Sequence, residues 1–238
     1  MVTIKSLASG STGNCYIVNL GSSCFILDAG ISENQITKNV NLNDVDFCFI
    51  SHNHKDHSLN AENLAYRGIE IIRGNLIGEF DKIAVKDEFG DQIQALGFPV
   101  EHGEEKNGGI IIYSNETKEC LIYATDFSVC KPAIQEWLEY FIPGAKLTHI
   151  MVECNYLEEL IAGKAEETKE KRQINTHMGL KGTIKFLDSI DLSNCKEILL
   201  LHMSQGYGDS IIMASTIYAR YRIRTGICRQ WGGIDYYG

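Results

Sequence analysis

Apolar positions along the chain fall into short runs broken by glycine-rich or polar punctuation, a pattern that predicts strands joined by turns through the first third. Residues 3–7, 15–20 and 24–27 read as strands of a meander, with Ser9-Gly10-Ser11-Thr12-Gly13 as one turn and Asp28-Ala29-Gly30 closing the third run. Residues 47–50 form a buried-strand run that stops at Ser51. Residues 59–66, closed by Gly68, predict a short helix, and 69–72 the next strand. Further on, runs at 110–113 and 120–124 flank the polar segment Ser114-Asn115-Glu116-Thr117-Lys118 as a hairpin. Helices are expected over 131–140, 181–189 and 210–219, strands over 148–153 and 197–201. A charged helical stretch covers 156–172, its 165–172 run being a solvated face. Two successive strand-then-helix halves emerge, without repeat or linker.

Composition narrows the class. A chain of 238 residues with 44% apolar content buries one sizeable core, so a single domain over 1–238 is expected. Its longest apolar runs fall far short of the roughly 18–20 residues that cross a bilayer, which argues against a membrane protein. The start, Met1-Val2-Thr3-Ile4-Lys5-Ser6, lacks the layout of a secretory signal, so a cytoplasmic location is expected. Eight cysteines are scattered without any C-x-x-C pair, which reads as reduced thiols packed in the core. The net charge of −9 speaks against a broad basic surface for long duplex nucleic acid. It does not exclude a nuclease, because bound divalent metals and a local patch reverse the sign at a site.

The chemistry concentrates right after the 47–50 run. Ser51-His52-Asn53-His54-Lys55-Asp56-His57 packs three histidines and an aspartate into six positions. Imidazole nitrogen and carboxylate oxygen are the donors that zinc and related divalent metals accept. On an extended loop, residues 52 and 54 point the same way while 56 and 57 turn toward a neighbouring point, so one loop is able to feed two metals.

This H-x-H-x-D-H segment resembles the signature of the metallo-β-lactamase superfamily, and further matching segments follow in order. They are Asp28 in Phe25-Ile26-Leu27-Asp28-Ala29-Gly30, His102 in Phe98-Pro99-Val100-Glu101-His102-Gly103, Asp126 in Tyr123-Ala124-Thr125-Asp126, and His202 in Leu200-Leu201-His202-Met203-Ser204. The resemblance implies an α/β fold of the αββα four-layer type, two mixed sheets packed face to face with helices outside. It also implies that His52, His54 and His102 bind one metal, that Asp56, His57 and His202 bind another, and that Asp126 bridges them. Asp28 would buttress the ligand loop. The ions implied are two divalent metals, zinc first, with manganese or iron as alternatives. His149 matches no motif and reads as structural. His177, in Asn175-Thr176-His177-Met178-Gly179, resembles a histidine that contacts substrate phosphate or protonates a leaving group, set against a surface histidine at a helix start.

The implied reaction is hydrolysis, best suited to phosphodiesters, by a metal-bridging hydroxide that Asp56 orients. Asp126 stands where true lactamases usually have cysteine, His54 where flavodiiron proteins have glutamate, and only 75 residues separate Asp126 from His202, too few for a large inserted cap. What remains resembles the compact bacterial exonuclease-like branch associated with the cell-wall two-component system. Its marks are Ala8-Ser9-Gly10-Ser11-Thr12-Gly13-Asn14-Cys15, Val152-Glu153-Cys154-Asn155-Tyr156 and the His177 segment. A nucleic acid end or a nucleotide is the expected substrate. The alternatives are cyclic nucleotides, as for phage anti-defence phosphodiesterases, a small thioester or lactone, or a non-catalytic binding role. The charged 158–172 segment and the aromatic C-terminus are each suited to meet a second subunit, so a homodimer is an option.

Overall fold

Strands that are apolar at every position need cover on both faces, and the chain supplies it by stacking two sheets with helices outside. The computed structural model describes residues 2–83, 93–128, 133–162 and 168–237. Strands β1 (Val2–Ala8), β2 (Cys15–Leu20), β3 (Ser23–Leu27), β4 (Phe47–Ile50) and β5 (Glu70–Arg73) form the first sheet in that order. Its first three strands are antiparallel and its last three parallel. The second sheet contains β6 (Asp81–Ile83), β7 (Ile93–His102), β8 (Glu105–Ser114), β9 (Cys120–Ala124), β10 (His149–Glu153), β11 (Glu197–Leu201), β12 (Arg224–Cys228) and β13 (Ile234–Tyr237), ordered from β13 to β6. Strands β9 to β12 run parallel, with antiparallel neighbours on both flanks.

The period of two along each strand distributes its side chains between two cores. In β9, Leu121 and Tyr123 point between the sheets, where they join Tyr16, Phe25, Phe47 and Phe49 of the first sheet and Met151, Leu199 and Leu201 of the second. Cys120, Ile122 and Ala124 point the other way, under helices. Those helices are α4 (Ile134–Phe141), which supplies Leu138, α7 (Leu180–Asp188), which supplies Leu187, and α8 (Ser210–Tyr221), which supplies Met213 and Ile217. The outer face of the first sheet is covered in the same way by α1 (Glu33–Thr37) through Ile36 and α3 (Ala61–Tyr66) through Leu64. The result is the expected αββα sandwich of two mixed sheets. Each fully buried leucine, isoleucine or phenylalanine contributes roughly 1.5–3 kcal/mol, so this double alternation dominates the stability.

Several elements escape a reading of apolar runs. Strand β7 carries Gly97 and Pro99, which punctuate its pattern, and Pro99 lies beyond the last β6 partner at Gly97. Strand β13 and helix α1 are short and mostly exposed, so their periodicity is weak, and β12, though buried from Thr225 to Cys228, opens on Arg224-Thr225-Gly226 and so shows no apolar run. The expected 156–172 helix resolves into α5 (Glu158–Ile161) and α6 (Thr168–Thr176), while 163–167 lie outside the described residues. Residues 131–132 of the helix expected over 131–140 and Cys130 also lie outside them. The seven described cysteines are free, and all but Cys195 are buried, in keeping with small core residues. Among the described residues, no helix is long and apolar enough to cross a membrane.

Candidate metal centre

Both sheets present strand C-termini at one end of the sandwich, and six of the seven histidines gather there. The loop after β4, continuing into α2 (Lys55–Ser58), carries His52, His54, Asp56 and His57. It is held against the end of β3 by a backbone lattice: Asn14 N–H donates to the Asp56 carbonyl at 2.7 Å and Ala29 N–H to the His57 carbonyl at 2.7 Å. Gly30 makes this approach possible, since a Cβ there would lie 1.7 Å from the Asp56 carbonyl oxygen.

Asp28 is the buried anchor of this loop. Its carboxylate accepts the Ser51 N–H at 2.7 Å, the Tyr123 hydroxyl at 2.6 Å and the His57 Nδ1–H at 2.5 Å. With Nδ1 so engaged, the Nε2 of His57 faces the cluster, 3.4 Å from Asp126 Oδ2 and 3.6 Å from Asp56 Oδ2. The His52 Nε2 and His54 Nδ1 atoms converge to 2.8 Å.

The second sheet contributes isolated residues. His102 ends β7 and gives its Nδ1–H to the Thr176 carbonyl at 2.8 Å, which turns Nε2 toward His52 and His54. Asp126 follows β9, and His202 follows β11. Asp28, Asp126 and His202 all have positive φ, at 55°, 51° and 53°. Such left-handed geometry costs a non-glycine residue of order 1–3 kcal/mol and persists where surroundings over-determine it. They do so here: Asn107 Nδ2 donates to the Thr125 and Asp126 carbonyls, and Asn155 Nδ2 donates to the His202 carbonyl at 2.6 Å. The His202 N–H in turn donates to Ser9 Oγ at 2.9 Å. Each strained residue lets a strand-end side chain turn across the mouth of the sandwich.

Three overlapping donor groups result, each with its ligand atoms within 4.8 Å of one another: His52, His54, His102 and Asp126; Asp56, His57 and His202; and Asp126, Glu153, His177 and His202. Asp126 stands between the first two, 3.8 Å from His52 Nε2 on one side. Burial, helped by the neighbouring His57, drives the pKa of His52 down to about 2. The same burial acts on His57 and His202, but carboxylates override it. Asp126 and Asp28 hold His57 well above its ordinary value, while Asp126, Asp56 and Glu153 bring His202 up to about 10. Burial works against the charge of Asp126 as well, yet His202, His57 and His177 keep its carboxyl well below the usual range. Protons thus hold together a buried set of anionic and imidazole donors that a divalent cation would replace. The Nε2 of His202 is buried without a hydrogen-bond partner among the described residues. The donor chemistry and that orphaned nitrogen fit a pair of divalent cations.

Residues 8–185 match the Metallo-beta-lactamase superfamily. The chain belongs to that superfamily. Its members typically bind divalent metals, and these His/Asp clusters are the candidates here. Among solved structures, the metallo-beta-lactamase fold protein YhfI from Bacillus subtilis superposes with a TM-score of 0.70 at 13% identity, covering 99% of both chains. The short form of human tRNase Z gives 0.63 at 12% identity, covering 99% of this chain and 98% of that one. Yeast PDE1 gives 0.61 at 11%, covering 98% and 99%. At such identities these likenesses speak to the superfamily fold alone. No curated protein sequence matches the chain.

Every residue singled out from the sequence as a candidate ligand or catalytic group lies at this mouth, whereas His149 lies at the opposite end of β10 from Glu153. His177 sits against the cluster, its ring 5.5 Å from that of His102 and 5.1 Å from that of His202. Sequence reasoning assigned no role to Glu153, which is fully buried beneath His177. It accepts the His177 Nδ1–H at 2.6 Å and the Phe127 N–H at 2.9 Å, and His177 together with His202 keeps it charged despite burial. Its signal is a carboxylate ending an otherwise apolar strand, the same signal that marks Asp28. Asn14, whose Nδ2 lies 2.9 Å from His57 Nε2, and Asn107 had no such signal, because one asparagine in a loop looks like any other.

Proposed function

We propose that this chain is a two-metal-dependent phosphodiesterase that cleaves nucleic acid ends or nucleotides. One observation carries the reading: the donor groups open on a single cleft of about 580 Å³ whose lining includes Lys55 and Arg172. In a chain with a net charge of −9, cations placed beside such donors mark a seat for an anion. The name of one fold neighbour, a tRNase, supports phosphate-ester chemistry. The finer placement, in the compact exonuclease-like branch, rests on the segments around Ser9, Glu153 and His177.

In this reading His52, His54 and His102 hold one ion and Asp56, His57 and His202 the other, with Asp126 shared. When bound, two such ions act as Lewis acids on phosphoryl oxygens and make water a better nucleophile near neutral pH. Asp56, part-exposed in the cleft, accepts a hydrogen bond from the attacking water and aims it. Glu153 fixes His177 through Nδ1, which leaves Nε2 as the nitrogen able to give a proton to the departing oxygen. Lys55 and Arg172 hold the non-reacting part of the anion.

Hydrolysis of a bis-aryl phosphodiester by protein loaded with zinc or with manganese tests this, with His57→Ala as control. Turnover that disappears in the variant is expected. Absence of turnover with both ions bound would overturn the reading.

A further inference from the structure

We infer that Trp231 and Arg229 form a second binding site beside the metal cleft, one that takes an unpaired nucleobase and its phosphate from a single-stranded substrate end. The inference rests on the phosphodiester reading above and names the substrate class.

The first observation is continuity. Met203 and Gln205, which line the cleft next to His202, also line a neighbouring cavity of about 420 Å³ that contains Arg229, Gln230 and Trp231. Trp231 and Gln230 in turn line a further cavity of about 240 Å³ that reaches Thr12 and Leu59. A strand leaving the metal cleft past Met203 therefore meets Trp231 standing between two hollows.

The second observation is rigidity. Trp231 is 80% exposed, although tryptophan is the side chain with most to gain from burial. Its backbone, by contrast, is fixed in the tight turn between β12 and β13. Arg229 N–H donates to the Gly233 carbonyl, Gly232 N–H to the Arg229 carbonyl, and Gly233 N–H to the Ser6 carbonyl, all at 2.9–3.1 Å. Gly232 and Gly233 both have φ of 88°, and a Cβ on Gly232 would lie 2.7 Å from the Leu7 carbonyl oxygen. The Gln230 side chain ties the same turn to Thr12 at 3.0 Å, in the loop that shapes the metal centre. A bare indole on a fixed backbone is a preorganised stacking platform, because little ordering entropy is lost when a flat partner settles on it.

The third observation is charge and hydrogen-bonding character. Arg229 is more than half exposed and only loosely paired, its Nε 3.6 Å from Asp235. With Lys55 and Arg172 lining the cleft and Arg229 the adjoining cavity, cations border both hollows of a chain that is acidic as a whole. Gln205, Ser210 and Asp235 supply donors and acceptors at the cavity wall, as the edge of a base requires. A small lactone or thioester would use none of these groups.

The test is fluorescence anisotropy of a fluorescein-labelled, phosphorothioate-linked hexathymidine on the zinc-loaded 238-residue chain, compared with Trp231→Ala and Trp231→Phe. Because the indole is exposed, both variants are expected to keep the fold. Trp231→Ala should weaken binding about 10-fold or more, the range for losing one base-stacking contact, and Trp231→Phe should restore most of it. A hexamer carrying a single abasic site should lose the same factor with the wild-type protein and no further factor with Trp231→Ala. Equal binding by wild type and Trp231→Ala overturns the inference. So does sedimentation showing that Trp231→Ala splits a dimer while oligonucleotide affinity holds, since the indole would then serve a second copy of the chain. Binding is read without turnover, so a failure of aryl phosphodiester hydrolysis remains a separate result.

Discussion

The two sheets build their shares of the metal centre in opposite ways. The first sheet delivers four donors from one six-residue loop, fastened beneath by a single buried carboxylate, Asp28, that serves His57, Ser51 and Tyr123 at once. The second sheet delivers His102, Asp126 and His202 one at a time, and the turn after α6 adds His177 over β10, from positions spread over a hundred residues, each with its own clamp: Thr176, Asn107, Asn155 and Glu153. A contiguous loop concentrates ligands but depends on one anchor. A dispersed set spreads the risk: His102 meets His52 and His54, His202 meets Asp56 and His57, and Asp126 stands between the two groups.

That contrast predicts its own most damaging substitution. Asp126→Ala removes the side chain that the proposed reading shares between both ions, so metal content should fall from about two ions per chain to one or none, and turnover by on the order of 10³-fold, as several kcal/mol of charge stabilisation are lost. Elemental analysis beside phosphodiesterase kinetics checks both. Retention of two ions would show that the halves are independent.

His177→Gln should separate chemistry from metal binding on the dispersed side. Loss of a positioned general acid typically costs 10²–10⁴-fold, so kcat should fall about 10²-fold while both ions remain bound. Glu153→Gln should follow it with a smaller loss, because Glu153 acts through His177. A substrate with an aryl leaving group of low pKa should be spared in both variants, an outcome that a merely structural role would not produce.

The loop's dependence on one anchor is sharpened by Asp28→Asn. Metal affinity should weaken 10- to 100-fold, as when other outer carboxylates behind ligating histidines are removed. The same change leaves one amide oxygen and sets an NH2 group where the other oxygen accepts from His57 and Tyr123, so the metal-free protein should lose about 3 kcal/mol in urea unfolding. An equal effect from Asn107→Ala would mean that the clamps of the dispersed half are no less critical than the single anchor.

The same contrast explains how much was legible in the sequence. The ligand loop announced itself because three histidines and an aspartate in six positions have no packing explanation. The dispersed residues carried no such local signal: His102, Asp126 and His202 were found only because whole segments around them resemble a known superfamily. Continuous apolar runs gave the central strands, since both faces of β4, β9, β10 and β11 are buried. The edges stayed hidden where Gly97 and Pro99 interrupt β7, where Arg224-Thr225-Gly226 break the apolar pattern of β12, or where exposed residues blur β13. Glu153 was overlooked because its meaning lies in His177, 24 residues later, and no spacing rule links the two.

The smallest effect belongs to the one histidine outside the centre. Strand β10 has Glu153 at the mouth and His149 at its far end, so it joins a site-building end to a purely structural one. His149 is nearly buried, and burial brings its pKa from the ordinary 6.5 down to about 4. Between those values the unfolded chain takes up a proton that the folded chain refuses. Stability should therefore fall as pH drops through the window from 6.5 to 4 and lose nothing more to this group below it, by an amount of order 3 kcal/mol at most. His149→Gln removes the titration, so urea midpoints of wild type and variant, each metal-loaded, should diverge on acidification, with the variant's acid limb the flatter. Parallel limbs would place the whole acid sensitivity at the metal mouth and leave the far end of β10 silent.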